Sequence, residues 1–162
     1  MKHFSLGSKF LKDRSGWWHY VRRVPTRFKD LDKRGLIQVA LHTQSLEIAM
    51  MRRNGLAEAD DALWSSLALQ AEGTERARSR AASERHRAAV ARAMAEGFVY
   101  RPVEEVAALP DIEEIIDRLR KVDRGAQPTE ARTEALLGGA PELKDRTTVS
   151  EAFELYVSKI AF

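Results

Sequence analysis

The sequence contains no cysteine, and that one absence excludes disulfides, thiolate zinc sites and cysteine nucleophiles together. A chain without thiols suits a reducing compartment, so a cytoplasmic protein is expected. No apolar run approaches the roughly 20 residues that cross a bilayer, and the opening MKHFSLGSKF lacks the apolar middle of a signal peptide. Membrane insertion is not expected. The phosphate-cradling and nucleophile motifs GxxxxGK[ST], GxGxxG and GxSxG are missing as well. The histidines, His3, His19, His42 and His86, stand singly without HxxxH or HExxH spacing, so no metal site is expected. Acidic pairs such as Glu104-Glu105 and Glu113-Glu114 fall on helical stretches where a solvated role is ordinary. Nothing assembles a nucleophile with a base and its orienter. These residues are therefore expected to carry no catalytic group, cofactor or small-molecule substrate.

What is present is enough apolar material for a core and a charge distribution with a direction. The 162 residues are 44% hydrophobic and 31% charged, which excludes a wholly disordered chain. Net charge is only +3, yet residues 1–60 hold 12 Lys/Arg against 6 Asp/Glu, and the remainder has an acidic excess. A basic first third points to an anionic partner for that third.

Residues 8–43 have the pattern of a small three-stranded sheet. Ser8–Lys12 is a short strand, and Asp13-Arg14-Ser15-Gly16 carries turn chemistry. Trp17–Val24 is rich in aromatic and β-branched residues, as strands are, and Pro25 ends it by removing a ladder donor. Residues 26–35 make a helical turn closing on Gly35. Leu36–Thr43 forms a third strand, with Ile37, Val39 and Leu41 on one face and Gln38, Ala40 and His42 on the other. From Ser45 the period changes. Ser45 can cap a helix in which Ile48, Ala49, Leu56, Ala59, Leu63 and Leu67 recur at helical spacing. Gly55 is a weak point in it, costing about 1 kcal/mol relative to Ala. This stripe is expected to cover the sheet, giving an α+β fold with a βββα unit.

Residues 73–97 are rich in Ala, Arg and Glu and predict a helix whose thin, alanine-lined face either packs closely or stays exposed. Its arginines, interspersed with glutamate, suit a solvated face better than a nucleic-acid tract. VEEVAAL, between Pro102 and Pro110, and DIEEIIDRLRKV, with Asp111 as cap, predict two further helices. Residues 124–145 have no sustained period and are expected to be a linker. TTVSEAFELYVSKIAF then starts a new helix, with a Thr148/Glu151 capping box and an apolar stripe of Val149, Phe153, Tyr156, Val157 and Ile160. That stripe stops in mid-pattern, so the chain is expected to be a fragment. The expected division is 1–70 (a βββα unit), 71–123 (helical segment), 124–145 (linker) and 146–162 (first helix of a further domain).

The stretch GWWHYVRRVP carries the strongest functional signal. On a strand, Trp18, Tyr20 and Arg22 share one face, and Trp17, His19, Val21 and Arg23 share the other. One face is core, where an arginine either snorkels or pairs with Asp30 or Asp32. The exposed face, with Lys9, Lys12, Arg14 and one of the two arginines, can meet phosphate. A small sheet can lie in the major groove, about 12 Å wide, where Gln38 and His42 would reach base edges. Trp18 and Tyr20 are expected to pack, because a duplex offers no unstacked bases. Two other readings compete. The helices of residues 45–122 can be a protein–protein or self-association module without DNA contact. Alternatively, Trp17 can serve as a stacking platform for RNA or single strands.

FLKDRSGWWHYVRRVP, followed by VALHTQSLEIAMMRR, resembles the N-terminal region of phage-type integrases, the tyrosine recombinases. Many of these open with an aromatic-rich strand ending in Arg-Arg-x-Pro or Arg-x-Val-Pro, then a strand reading Ser-Leu-Gly-Thr, then a helix with an early alanine and arginines. Trp18, Tyr20, Arg22, Arg23, Val24 and Pro25 match the first motif, and Leu41, Thr43, Ala49, Arg52 and Arg53 the second. Ala40 and His42 depart from the usual Ser and Gly, and His19 stands where an aromatic is common. His42 in place of glycine removes backbone freedom just before the helix. Residues 146–162 resemble the first helix of the family's core-binding domain.

The resemblance implies a three-stranded arm-type unit that binds double-stranded DNA; from the sheet faces read above, Lys9, Lys12, Arg14, Arg22 and Arg23 are expected on phosphates and Gln38 and His42 toward bases. It implies a role in DNA integration and recombination. It also places the catalytic tyrosine and its assisting arginines, lysine and histidines in a C-terminal domain that these residues do not contain.

Overall fold

A computed structural model describes residues 6–123 and 129–143, together with Val157. Its fold is α+β: a three-stranded antiparallel sheet followed, among the described residues, by five helices. The sheet comprises β1 (Leu11–Arg14), β2 (Trp17–Arg23) and β3 (Leu36–Ala40), in that spatial order. The helices are α1 (Leu46–Glu72), α2 (Glu75–Ala95), α3 (Val103–Ala107), α4 (Ile112–Asp123) and α5 (Glu130–Leu137).

The β1–β2 hairpin closes on Ser15-Gly16, with φ of 53° and 83°. Two consecutive positive φ values are what a type I′ turn demands, and its twist matches that of the strands. Asp13 Oδ1 accepts the Gly16 N–H at 2.8 Å and fixes the turn. The first strand starts later than the sequence suggests. A 3-10 turn spans Leu6–Ser8, and Phe10 has φ 64°, so Lys9 precedes the sheet instead of lying in it.

The third strand also ends early, at Ala40. His42 adopts φ 50°, and Trp18 both donates to Thr43 O and accepts from Leu41 N–H, each at 3.0 Å. One β2 residue thus faces two positions of the neighbouring chain, a bulge with its left-handed residue at His42. The resemblance expects glycine here, and the backbone is in the region where glycine is at ease.

Ser45 caps α1, its hydroxyl accepting the Ile48 N–H at 3.3 Å. One side of α1 covers the sheet: Leu56 and Trp64 pack with Tyr20, Val24, Ile37 and Leu41. Gly73, at φ 74°, turns the chain, and Thr74 caps α2. The two long helices then lie together through alanines: Ala77 and Ala81 pack with Leu69, and Ala88 with Ala62 and Leu63, while Ala89 and Ala93 turn toward Ala135 and Ala140. Gly55 is the closest approach. A Cβ there would stand 2.9 Å from the Ala95 Cβ, so the residue that weakens α1 by propensity is the one that lets α2 dock.

The segment expected as a linker needs correction. Within 124–145, Thr129 caps α5, Gly138 ends it at φ 85°, and Ala135 and Leu136 are buried. Arg85 of α2 bonds Glu134 and Glu130 of α5. Fully buried Arg118 of α4 donates to Leu136 O and Val99 O, with Glu114 as its ion partner. Eight residues give barely two turns, too few for a visible helical period, and only the cap at each end marked the helix. The helix expected over 146–162, with its capping box, lies outside the described residues apart from Val157.

Candidate nucleic-acid interface

The ladder register sorts the sheet into two faces. Leu11 pairs with Tyr20, and Tyr20 with Val39; Arg22 pairs with Ile37. These residues face α1. Lys12 pairs with His19 and His19 with Ala40, Arg14 with Trp17, Val21 with Gln38, and Arg23 with Leu36. This second set forms the outer face, which no described helix covers. Trp17 remains 48% exposed on it and Leu36 42%.

The outer face carries Lys12, Arg14 and Arg23 and no carboxylate. Asp13, the acidic residue of β1, belongs to the opposite parity and is occupied by the turn. Three strands about 4.8 Å apart make a face roughly 10 Å wide, and the seven residues from Trp17 to Arg23 span about 20 Å along it. Arg14 reaches across the middle strand and donates to Gln38 Oε1 at 2.6 Å. This bond pre-orients a guanidinium and an amide as one polar unit. Beside it, Arg14, Trp17, His19, Ala40 and His42 line a shallow depression of about 260 Å³.

The structure brings together Lys12, Arg14, Arg23, Gln38 and His42 of the residues expected to bind. Lys9 stands apart on the preceding turn, its ammonium 4.9 Å from the Phe10 ring centroid. Arg22 requires correction. Its guanidinium sits on the α1 side, within 4.6 Å of the Phe10 and Trp64 ring centroids. It donates to Ala57 O at 3.0 Å and to Asp61 at 2.6 Å. Strand parity had put Arg22 and Arg23 on opposite faces, and the helix settles which of them is internal.

The ion partner also differs from the expected Asp30 or Asp32. Asp30 meets Lys33 in an exposed pair, whereas Asp32 accepts Arg34 and the Trp64 indole N–H. Burial alone would raise the Asp32 carboxyl, but the bonds from Arg34 and Trp64 outweigh it and hold it below the ordinary aspartate range. Through Asp32, buried between Arg34 and Trp64, the β2–β3 connection is tied to α1.

A second basic feature went unseen in the sequence. A cleft of about 490 Å³ runs beside residues 38–42, walled by Arg52, Lys121 and Arg132 with Glu96 among them. Its cations come from α1, α4 and α5, too far apart in sequence for spacing to announce them. Comparison of the chain with protein-family models, curated proteins and solved structures returned no match. Among the described residues no helix is long and apolar enough to cross a membrane.

Proposed function

We propose that the outer face of the β1–β2–β3 sheet binds double-stranded DNA, and that the chain is the DNA-binding N-terminal region of a site-specific tyrosine recombinase, acting in DNA integration and recombination. The observation that carries the DNA reading is the solvent-facing side of three strands, with three cations and no carboxylate. A face about 10 Å wide suits a groove about 12 Å wide. Lys12 and Arg14 lie on the β1 margin and Arg23 at the end of the middle strand, where they would meet phosphates, and Gln38 and His42 lie on β3 and its extension. The family part rests on the motif resemblance alone, strengthened by the left-handed backbone at His42 where that motif has glycine.

The test is fluorescence anisotropy with a mixed-sequence duplex across a salt series. Without a known site, the expected non-specific Kd is about 10⁻⁴ to 10⁻⁶ M at physiological salt. The Arg14→Ala/Arg23→Ala protein should bind more weakly and with a salt slope shallower by about 2 × 0.9. Absence of binding at low salt would sink the reading and favour the helices as an interaction module, where Met51 and Met94 are strongly exposed. Preference for single strands would point instead to stacking on Trp17.

A further inference from the structure

β3 is an edge strand, since the sheet order is β1-β2-β3. Leu41 N–H bonds Trp18 O, and Gly35 O accepts Val24 N–H, so the odd-numbered residues of β3 turn their backbone groups toward β2. Antiparallel pairing alternates, and therefore Leu36, Gln38 and Ala40 direct theirs away from the sheet. No described residue pairs with this edge, and an open strand edge is a template for another strand. The cleft of about 490 Å³ runs along this same edge, with residues 38–42 as one wall. It falls within the range of sites that enclose a short ligand or peptide segment.

The opposite wall is cationic. The Glu96 carboxylate accepts both Arg132 Nε, at 3.2 Å, and Nη2, at 2.8 Å. Lys121 Nζ donates to the Glu96 carbonyl at 2.5 Å, and Arg52 donates to Leu41 O. Glu96 is the carboxylate within the groove, and Asp117, one turn before Lys121 on α4, pairs with Arg120 in an exposed contact at 3.4 Å. Among the described residues neither Arg52 nor Lys121 has a carboxylate within ion-pair distance, and the groove around them is partly enclosed. Burial pushes the Lys121 ammonium below the ordinary lysine range, and Arg52 and Arg132 push it further against the pull of Glu96 and Asp117. An anion in the groove would relieve that repulsion.

We propose that the β3 edge and its basic wall form a docking groove for an extended acidic peptide segment of a partner protein, which adds as a fourth strand. Backbone groups of Gln38 and Ala40 pair with the incoming chain. Its side chains alternate between the two faces of the extended sheet, so every second residue meets Arg52, Lys121 and Arg132. Strand addition supplies affinity through the main chain and specificity through alternate side chains. The groove therefore selects Asp or Glu at period two, and it lies beside the outer face without using that face's cations.

The experiment titrates the labelled peptide Thr-Glu-Val-Glu-Val-Glu-Val-Thr into the full chain by anisotropy, beside the glutamine-for-glutamate peptide and one with its glutamates in a block. The alternating peptide should bind, the other two at least roughly fivefold more weakly. Ala40→Pro removes a donor that the β2–β3 ladder does not use and that an edge strand can lose. It should weaken binding about fivefold, the effect of one backbone hydrogen bond, and Lys121→Gln should weaken it with a shallower salt dependence. Binding unaffected by Ala40→Pro, or competed equally by inorganic phosphate or duplex DNA, would overturn strand addition. If Ala40→Pro does not fold, amide exchange in the unaltered protein decides. The peptide must slow the Gln38 and Ala40 amides, and unchanged exchange refutes the proposal.

Discussion

Tyr20 donates its phenolic hydrogen to Asp60 Oδ2 at 2.7 Å, and both side chains are fully buried. Asp60 also accepts Arg92 of α2 at 2.9 Å and Arg34 of the β2–β3 connection at 3.3 Å. One carboxylate thus gathers donors from β2, the connecting loop and α2 around α1. A buried charge is tolerated only when bonded on all sides, so this cluster fixes how the sheet, the hairpin of long helices and the loop meet.

Tyr20→Phe keeps the ring and removes one donor from a buried charge, a loss of about 2 kcal/mol measurable by urea unfolding at neutral pH. Burial, with Asp60 beside it, pushes the Tyr20 hydroxyl well above the ordinary tyrosine range. The native state therefore keeps a proton that the unfolded chain releases near pH 10. The stabilisation is full below that pH and declines as pH rises past it. Tyr20→Phe should accordingly flatten the loss of stability measured between about pH 10 and 11.

Gly55→Ala should destabilise, although helix propensity alone favours alanine by about 1 kcal/mol. The new methyl would lie 2.9 Å from the Ala95 Cβ, and two packed helices must part to admit it. Overpacking of this kind costs roughly 1–3 kcal/mol. In an Ala95→Gly background the same change should become neutral or stabilising. A double-mutant cycle by thermal melts reads the coupling directly.

The fold was legible where one local rule governed each element. Ser15-Gly16 announced the hairpin, Pro25 ended β2, and Ser45 placed the start of α1. Parity separated Arg22 from Arg23 but could not choose the buried face, because each face offered aromatic bulk and one arginine. The choice came from α1, where Asp61, Ala57 O and Trp64 receive Arg22. α5 escaped because its two turns read as Gly/Pro/Thr-rich chain, and its burial depends on Arg85 and Arg118, dozens of residues away or on another helix. Arg52, Lys121 and Arg132 converge only after α4 and α5 fold back beside β3, which no spacing rule encodes.

At His42 the left-handed backbone should make glycine the better residue. A Cβ in this region costs roughly 1–2 kcal/mol, partly offset by the extra freedom glycine has when unfolded. Comparing His42→Gly with His42→Ala removes the imidazole in both and isolates the Cβ. Gly should exceed Ala by about 0.5–1 kcal/mol in urea unfolding, whereas at an ordinary extended position the order would reverse.

Asp32 contributes stability that is lost in acid. Its native carboxyl lies below the ordinary aspartate range because Arg34 and Trp64 bond the charged form. The unfolded chain takes up a proton near pH 4, so the stabilisation is complete above that pH and is lost as pH falls through the native value. Urea midpoints should fall as pH drops below about 4, and Asp32→Asn, already lacking the charge, should fall less steeply over the same range.

Arg22 and Arg23 are neighbours in sequence with opposite expected roles, and that contrast offers the sharpest check on the sheet surface. Arg22 stacks between Phe10 and Trp64 and bonds α1. Arg22→Ala should therefore lower stability by about 1–3 kcal/mol and leave the salt slope of duplex binding unchanged. Arg23 is exposed at the end of the outer face. Arg23→Ala should leave urea unfolding within about 0.5 kcal/mol of the parent and reduce the salt slope by roughly 0.9, one phosphate contact. If the two substitutions exchanged effects, the groove-facing side of the sheet would be the side now packed on α1. If neither altered the slope while binding persisted, the cations that hold DNA would lie elsewhere on the chain.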